Sequence, residues 1–265
     1  MKGSITREQT KKHRRHGAAA QLGAVLFWIL LWQAASIAVG MPLLLPSPVE
    51  VMTRLGQLGL TWGFWETVLS SLRRILTGFL AGATAGTLLA AAAWAAPLIE
   101  ILVRPMLGVL KATPVASFII LALVWVESDN LASLISFIMV LPLVYHNVRQ
   151  GLDAADEQLL EMAHAFSLSR WNIFRYCYLP ELEPFLLSAL TSALGLAWKS
   201  GIAAEVLGRP VRAIGRQIYD AKIYLETEDL FAWTLVVILL SILLEKLIAW
   251  LLGSLGKSRA RRAKG

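Results

Sequence analysis

The chain has 265 residues, of which 57% are hydrophobic and only 16% charged, with a mean hydropathy of +0.61. A water-soluble domain must present a mostly polar surface, so this balance points to a membrane protein instead. The net charge of +7 does not mark a nucleic-acid binder, because the cations gather in KGSITREQTKKHRRH and KSRARRAKG, beside apolar stretches, where they suit anionic headgroups. One cysteine, Cys177, excludes an internal disulfide, and His13, His16, His146 and His164 are too scattered for a metal cluster.

A hydrocarbon core of about 30 Å needs roughly 20 apolar residues in a helix. Six runs of that kind stand out, at 18–40, 67–95, 97–126, 130–149, 182–206 and 229–252. The first follows a basic segment as a signal peptide would, but it is too long for a signal core and is read as a retained helix. In the third, Pro105 and Pro114 interrupt helical hydrogen bonding, and Arg104 and Lys111 lie inside the run. A short helix, a break and then a membrane helix are expected there. In the second, Gly78, Gly82 and Gly86 recur every four residues and form a flat stripe against which another helix can pack closely. No repeat or low-complexity linker divides the chain, so the expectation is an all-α protein of six transmembrane helices. One membrane domain, 18–252, lies between a basic segment, 1–17, and a basic tail, 253–265.

An even number of spans with both basic ends in the cytoplasm puts 150–183 inside and 41–66 and 207–228 outside, and the distribution of Lys and Arg favours this orientation. Arg73, Arg74, Arg209, Arg212 and Arg216 are exceptions to it. Within the inside segment, LDAADEQLLEMAHAF carries Ala155, Leu159, Met162 or Ala163, and Phe166 on one helical stripe, with Asp153, Asp156 and Glu157 in its first turn. Ser169 suits the N-cap of a second short helix, RWNIFRYCY, expected to stop at Leu179-Pro180.

The same segment resembles a known family. Glu161, Ala163, a small residue at Ser167, and Leu179-Pro180 are spaced as in the EAA loop of binding-protein-dependent ABC transporter permeases. Met162 replaces the middle Ala of that pattern, and Ser167 and Cys177 replace its Gly and Ile. If the bend needs a positive φ, Ser167 carries the strain a glycine would avoid. LLPSPVEV at 44–51, SSLRRILTGFLAG at 70–82 and AWKSGIAAEVLG at 197–208 are similar to the nitrate, sulfonate and taurine branch of these permeases.

The resemblance implies a bacterial inner-membrane, multi-pass permease subunit with both termini cytoplasmic. It implies a second permease subunit, giving a homodimer, two cytoplasmic ATPase subunits, and an extracytoplasmic solute-binding protein. Glu161, Ala163, Ser167, Leu179 and Pro180 would then form the helix that couples to the ATPase. ATP and magnesium would belong to that partner, and no cofactor or metal to this chain, which has no G-x-x-x-x-G-K-[ST] and no catalytic constellation. A small anion such as a sulfonate, nitrate or taurine is the expected solute, with a thiamine-precursor pyrimidine as the alternative in the same branch.

Charges at membrane depth usually face a cavity or a partner. Ser188, Ser192, Gly195 and Lys199 share one helical stripe, and with Glu205 they are candidates for a translocation pathway. Two other readings weigh against this one. An ion-coupled secondary transporter would use Lys199 and Glu205 as coupling charges, but lacks the expected inverted repeat. An intramembrane enzyme would need partners that His146 and Cys177 do not have at useful spacing.

Overall fold

The computed structural model of the chain describes the backbone of residues 5–262 and the side chains of residues 22–251. The basic segments 1–17 and 253–265 lie outside the described side chains. Among the described residues every regular element is helical. In chain order they are α1 (Ile5–Val39), α2 (Pro48–Gly59), α3 (Trp62–Ala95), α4 (Pro97–Ala112), α5 (Val115–Ala122) and α6 (Ser128–Asp153). Then come α7 (Glu157–Ala165), α8 (Arg170–Ile173), a π-helical turn (Phe174–Tyr178), α9 (Leu179–Gly208), α10 (Ile214–Ile223) and α11 (Thr227–Arg262). Five of the described helices are long and apolar enough to cross a membrane, and α4 with α5 makes a sixth crossing if that pair, bent by 102°, counts as one span.

The core is the packing of α3, α6 and α9. In lipid there is little hydrophobic force between helices, so close van der Waals contact must hold them. The glycines of α3 supply it against α6. A Cβ built on Gly78 would lie 2.1 Å from the Ser133 carbonyl oxygen, on Gly82 2.8 Å from that of Phe137, and on Gly86 2.7 Å from that of Leu141. The stripe expected from the sequence is therefore a seam where two backbones touch. On α9, a Cβ at Gly201 would meet Ile75 Cγ1 at 2.6 Å and Ser136 Oγ at 2.8 Å, and the Ser136 hydroxyl donates to the Ala197 carbonyl at 3.1 Å. Ile75, Leu131, Ile135, Val140, Val144 and Trp198 fill the space around this three-helix junction and are buried.

The remaining helices attach at the edges. Trp32 Nε1 and Ser36 Oγ of α1 donate to the carbonyls of Pro46 and Leu45, each at 3.0 Å, and Trp32 stacks on Phe231 of α11. Ser47 begins α2 with a capping box: its hydroxyl accepts from Glu50 N–H and its own N–H donates to Glu50 Oε2 at 2.7 Å. The Ser47 N–H donated to the carboxylate, with the nearby Ser47 hydroxyl, holds the Glu50 carboxyl below its ordinary value. Arg54 of α2 grips the Asp229 carboxylate of α11 with two donors, which pushes the guanidinium pKa further up.

Two local expectations are corrected. Pro105 does not interrupt α4, and the break falls only at Thr113-Pro114, both extended at ψ 128° and 137°. The pieces also come in the reverse order of length, 16 residues and then 8. Nor does the chain stop at Leu179-Pro180. Proline has no N–H to give, and the wider π turn before it accommodates the lost bond, so the helix runs on from α8 into α9.

Candidate functional site

At the end of the molecule where α3 and α6 finish, α7, α8 and the π turn fold into a small unit. Asp153 completes α6 and does not start the next helix. Asp156 instead caps α7, its carboxylate accepting from Gln158 N–H at 2.9 Å. Ser169 caps α8 as expected, accepting from Asn172 N–H. Between them Ser167 has φ +51°, the left-handed conformation that glycine adopts without strain. The Leu168 N–H returns to the Ala163 carbonyl at 3.0 Å and closes the bend.

The unit has its own core of Ala163, Ile173 and Cys177, with Leu160 and Tyr178 packed around it. Ala163 is only 4% exposed, so it supports the bend from within and is not a surface contact. Glu161 and Pro180 are exposed, and Leu179 is half-buried. Large apolar side chains remain on the surface: Leu159, Met162, Phe166 (75% exposed), Leu168 and Trp171 (68%). Trp94 of α3 meets Tyr178 edge-on at 4.9 Å, and a Cβ on Gly151 of α6 would meet Leu182 Cδ1 at 2.9 Å. The first contact holds the unit against α3, and the second packs the start of α9, just beyond the unit, against α6.

Along α9, Ser188, Ser192 and Lys199 are exposed in the single subunit, and no hydrogen bond or ion pair joins Lys199 to another described residue. Gly195 is buried, because the Glu245 carboxylate of α11 lies over it, 2.9 Å from where a Cβ would stand. Sequence reasoning passed over Glu245, although an acid near the middle of an apolar run carries the same signal as Lys199.

Glu205 does not belong with these residues. It is wholly enclosed near the opposite end, where its Oε2 accepts from Ser71 Oγ at 2.8 Å and from Gly215 N–H at 3.2 Å. Ser71 Oγ in turn accepts from Ile214 N–H at 2.9 Å. Arg74 reaches Glu205 Oε1 at 3.7 Å, the Asp129 carboxylate at 2.9 Å, and the carbonyls of Val211 and Arg212 at 2.9 and 3.2 Å. One buried guanidinium thus ties α3, α6, α9 and the 209–213 loop together. Of the adjacent arginines, Arg73 is exposed and Arg74 is 8% exposed, a difference that helical phase alone produces.

The sequence pattern described as "Binding-protein-dependent transport system inner membrane component" matches residues 78–259. The chain is similar to the taurine transport system permease protein of Escherichia coli K12, 23% identical over 220 residues, 81% of this chain and 80% of that protein. It is similar also to a protein of Bacillus subtilis 168 described as an aliphatic sulfonates transport permease, 27% identical over 207 residues, 77% of this chain and 74% of that one. The bicarbonate transport system permease protein of Synechococcus elongatus is 24% identical over 253 residues, 91% of this chain and 90% of its own length. The fold resembles that of an amino acid ABC transporter solved with histidines, at a TM-score of 0.57 and 18% identity over 72% of this chain and 91% of that one. It also resembles the inward-facing MetNI methionine ABC transporter, at 0.54 and 17% over 72% and 93%.

Proposed function

The chain belongs to the binding-protein-dependent transport system inner membrane components and is a permease subunit of an ABC importer, and from that premise we propose how it works. Its solute is a small anion of the kind named for its relatives, which are permeases for taurine, aliphatic sulfonates and bicarbonate. It lies in the inner membrane with both termini and the 157–180 unit in the cytoplasm. It pairs with a second copy of itself and joins two ATPase subunits, which hold ATP and magnesium, and an external solute-binding protein.

One observation carries the coupling role: the 157–180 unit has a packed core of its own and still presents Phe166 and Trp171 to the surface. A polar loop would need no such side chains, and exposed aromatics on a rigid support are the usual anchors of a protein interface. Glu161, Ser167, Leu179 and Pro180 shape that support, and Ala163 fills it. ATP-driven movement of the unit passes along the continuous α8–α9 helix to the membrane. Ser188, Ser192 and Lys199 border the solute path beside it. A lone ammonium at that depth calls for water or a partner, which the path supplies.

The test is co-purification of the tagged permease with its ATPase, alongside solute uptake in proteoliposomes. Phe166→Ala with Trp171→Ala is expected to lower ATPase capture at least tenfold while the chain stays monodisperse. Pro180→Gly is expected to keep capture and lose uptake. Normal capture and uptake in the Phe166/Trp171 variant would overturn the coupling role.

A further inference from the structure

The apolar stretches of α9 and α11 each carry charge in their midst. Lys199 is the only charged residue between Glu183 and Glu205, and between Leu230 and Gly256 the charged residues are Glu245 and Lys246. Charges at membrane depth face a partner or a water-filled path. Lys199, Glu245 and Lys246 are all exposed in the single chain, and none of them makes a hydrogen bond or ion pair with a described residue. Lys246 does not answer Glu245, because consecutive helical residues point to different faces.

Packing brings Glu245 and Lys199 to one place. The Trp198 indole N–H donates to the Val237 carbonyl at 3.0 Å and pins α11 against α9. About two turns farther along α11, the Glu245 carboxylate rests on Gly195, with Oε1 2.9 Å and Cδ 3.8 Å from where a Cβ would stand. Gly195 lies one turn before Lys199, and residues so spaced have Cβ positions about 5–6 Å apart. The Cα–Cβ bond of a helical residue tilts toward the N-terminus, so Lys199 projects back toward Gly195, where the carboxylate lies. Its flexible four-carbon stem covers one turn, and a change of rotamer alone joins ammonium to carboxylate. Glycine at 195 keeps that lane open, since any side chain there would fill it.

We propose that Glu245 is a built-in competitor of the solute: its carboxylate takes the Lys199 ammonium when the negative group of a solute leaves, and yields it when the next arrives. A bare ammonium in a low-dielectric setting holds an anion strongly, and a transport site must release what it binds. A carboxylate within reach weakens the hold by competition and restores a neutral site after each passage. The proposal rests on the reading above, that Lys199 borders the path of an anionic solute, and it adds Glu245 to that path.

The test measures binding of ethanesulfonate, a simple anion, to the permease in lipid nanodiscs, alongside its uptake by the assembled transporter in proteoliposomes. Glu245→Gln keeps the shape and removes the charge. It is expected to bind ethanesulfonate at least tenfold more tightly and to lower the maximum rate of uptake at least threefold, with ATPase capture unchanged. Gly195→Ala keeps both charges, but its methyl stands where the flexible end of Glu245 lies and pushes the carboxylate off α9, so a tightening of at least threefold is expected there too. In a Lys199→Ala background neither change is expected to alter binding or uptake. Unchanged affinity in folded Glu245→Gln and Gly195→Ala overturns the proposal, as does equal tightening without Lys199. The two levels of inference separate at Lys199→Ala. If that variant loses binding and uptake while Glu245→Gln and Gly195→Ala match the unaltered chain, the competitor alone falls. If Lys199→Ala binds and transports normally, or if the unaltered transporter takes up no small anion, the path reading falls and the competitor with it.

Discussion

Arg74 and Glu205 face each other at 3.7 Å inside the protein, the carboxylate without any exposure and its Oε1 accepting no hydrogen bond. The pair therefore depends on charge more than on a well-formed bond. Removing one partner of a buried pair strands the other, at a cost of about 3–5 kcal/mol, whereas removing both charges costs much less. Arg74→Ala is thus expected to destabilise the purified protein strongly, Glu205→Gln less, and the combination of Arg74→Gln with Glu205→Gln less than Arg74→Ala alone. Thermal unfolding in detergent reads this order, and additive losses would show that the two residues act independently.

The α3–α6 seam makes a second prediction. A methyl group at Gly78 would overlap the Ser133 carbonyl, and the backbone there cannot step aside as a flexible side chain can. Gly78→Ala is expected to cost at least the roughly 1–3 kcal/mol of an overpacked core. Gly56→Ala, on α2 with nothing near its Cβ position, is expected to change stability little or to raise it slightly. Expression level and unfolding temperature of the two variants, measured side by side, decide the matter.

Ser167 carries backbone strain at φ +51°. Left-handed geometry costs a non-glycine residue about 1–2 kcal/mol, so Ser167→Gly is expected to firm the 157–180 unit and Ser167→Val to loosen it. Hydrogen exchange at the Leu168 amide, which closes the bend, is the direct readout. Slower exchange in Ser167→Gly and faster in Ser167→Val is the expected result.

For Lys199, exposed on α9 and unpaired, Lys199→Ala is expected to lower solute uptake at least tenfold while leaving ATPase capture intact. Loss of capture in this variant would make Lys199 a residue of assembly and remove it from the path.

Orientation is checked with single cysteines at Ser169 and Gln57, both exposed and at opposite ends of the bundle, in a Cys177→Ala background. An impermeant thiol reagent applied to intact cells is expected to label the cysteine at 57 and spare the one at 169. The reverse pattern would invert the topology.

What the sequence disclosed depended on the range of each interaction. The four-residue spacing of Gly78, Gly82 and Gly86 announced a close helix contact because helical phase is local, although only the structure names α6 as the partner. The strain at Ser167 was legible for a similar reason, since the departure from glycine sits at the point where the chain must bend. The pairing of Glu205 with Arg74 was not, because two ends of distant helices meet only after the bundle has assembled. Ala163 shows a third kind of limit. Its place in the motif marked it as important, but whether a small residue faces a partner or its own neighbours is decided by the turn that follows it. Pro105 and Pro114 look alike in sequence, and they differ because α4 continues through one while the chain turns extended at the other.

The unbroken run from Arg170 to Gly208 spans 39 residues, close to 58 Å at about 1.5 Å per residue, nearly twice the thickness of the hydrocarbon layer. Its first end is rooted in the core of the 157–180 unit, and its far end delivers Glu205 to the clasp that shapes the 209–213 loop. A rod of that length gripped near its midpoint is a seesaw. A tilt of about 10° swings each tip by about 5 Å, in opposite senses. In a pair of copies joined as proposed above, drawing the tips together at one end would spread them at the other by the same motion, so a single element would serve both gates.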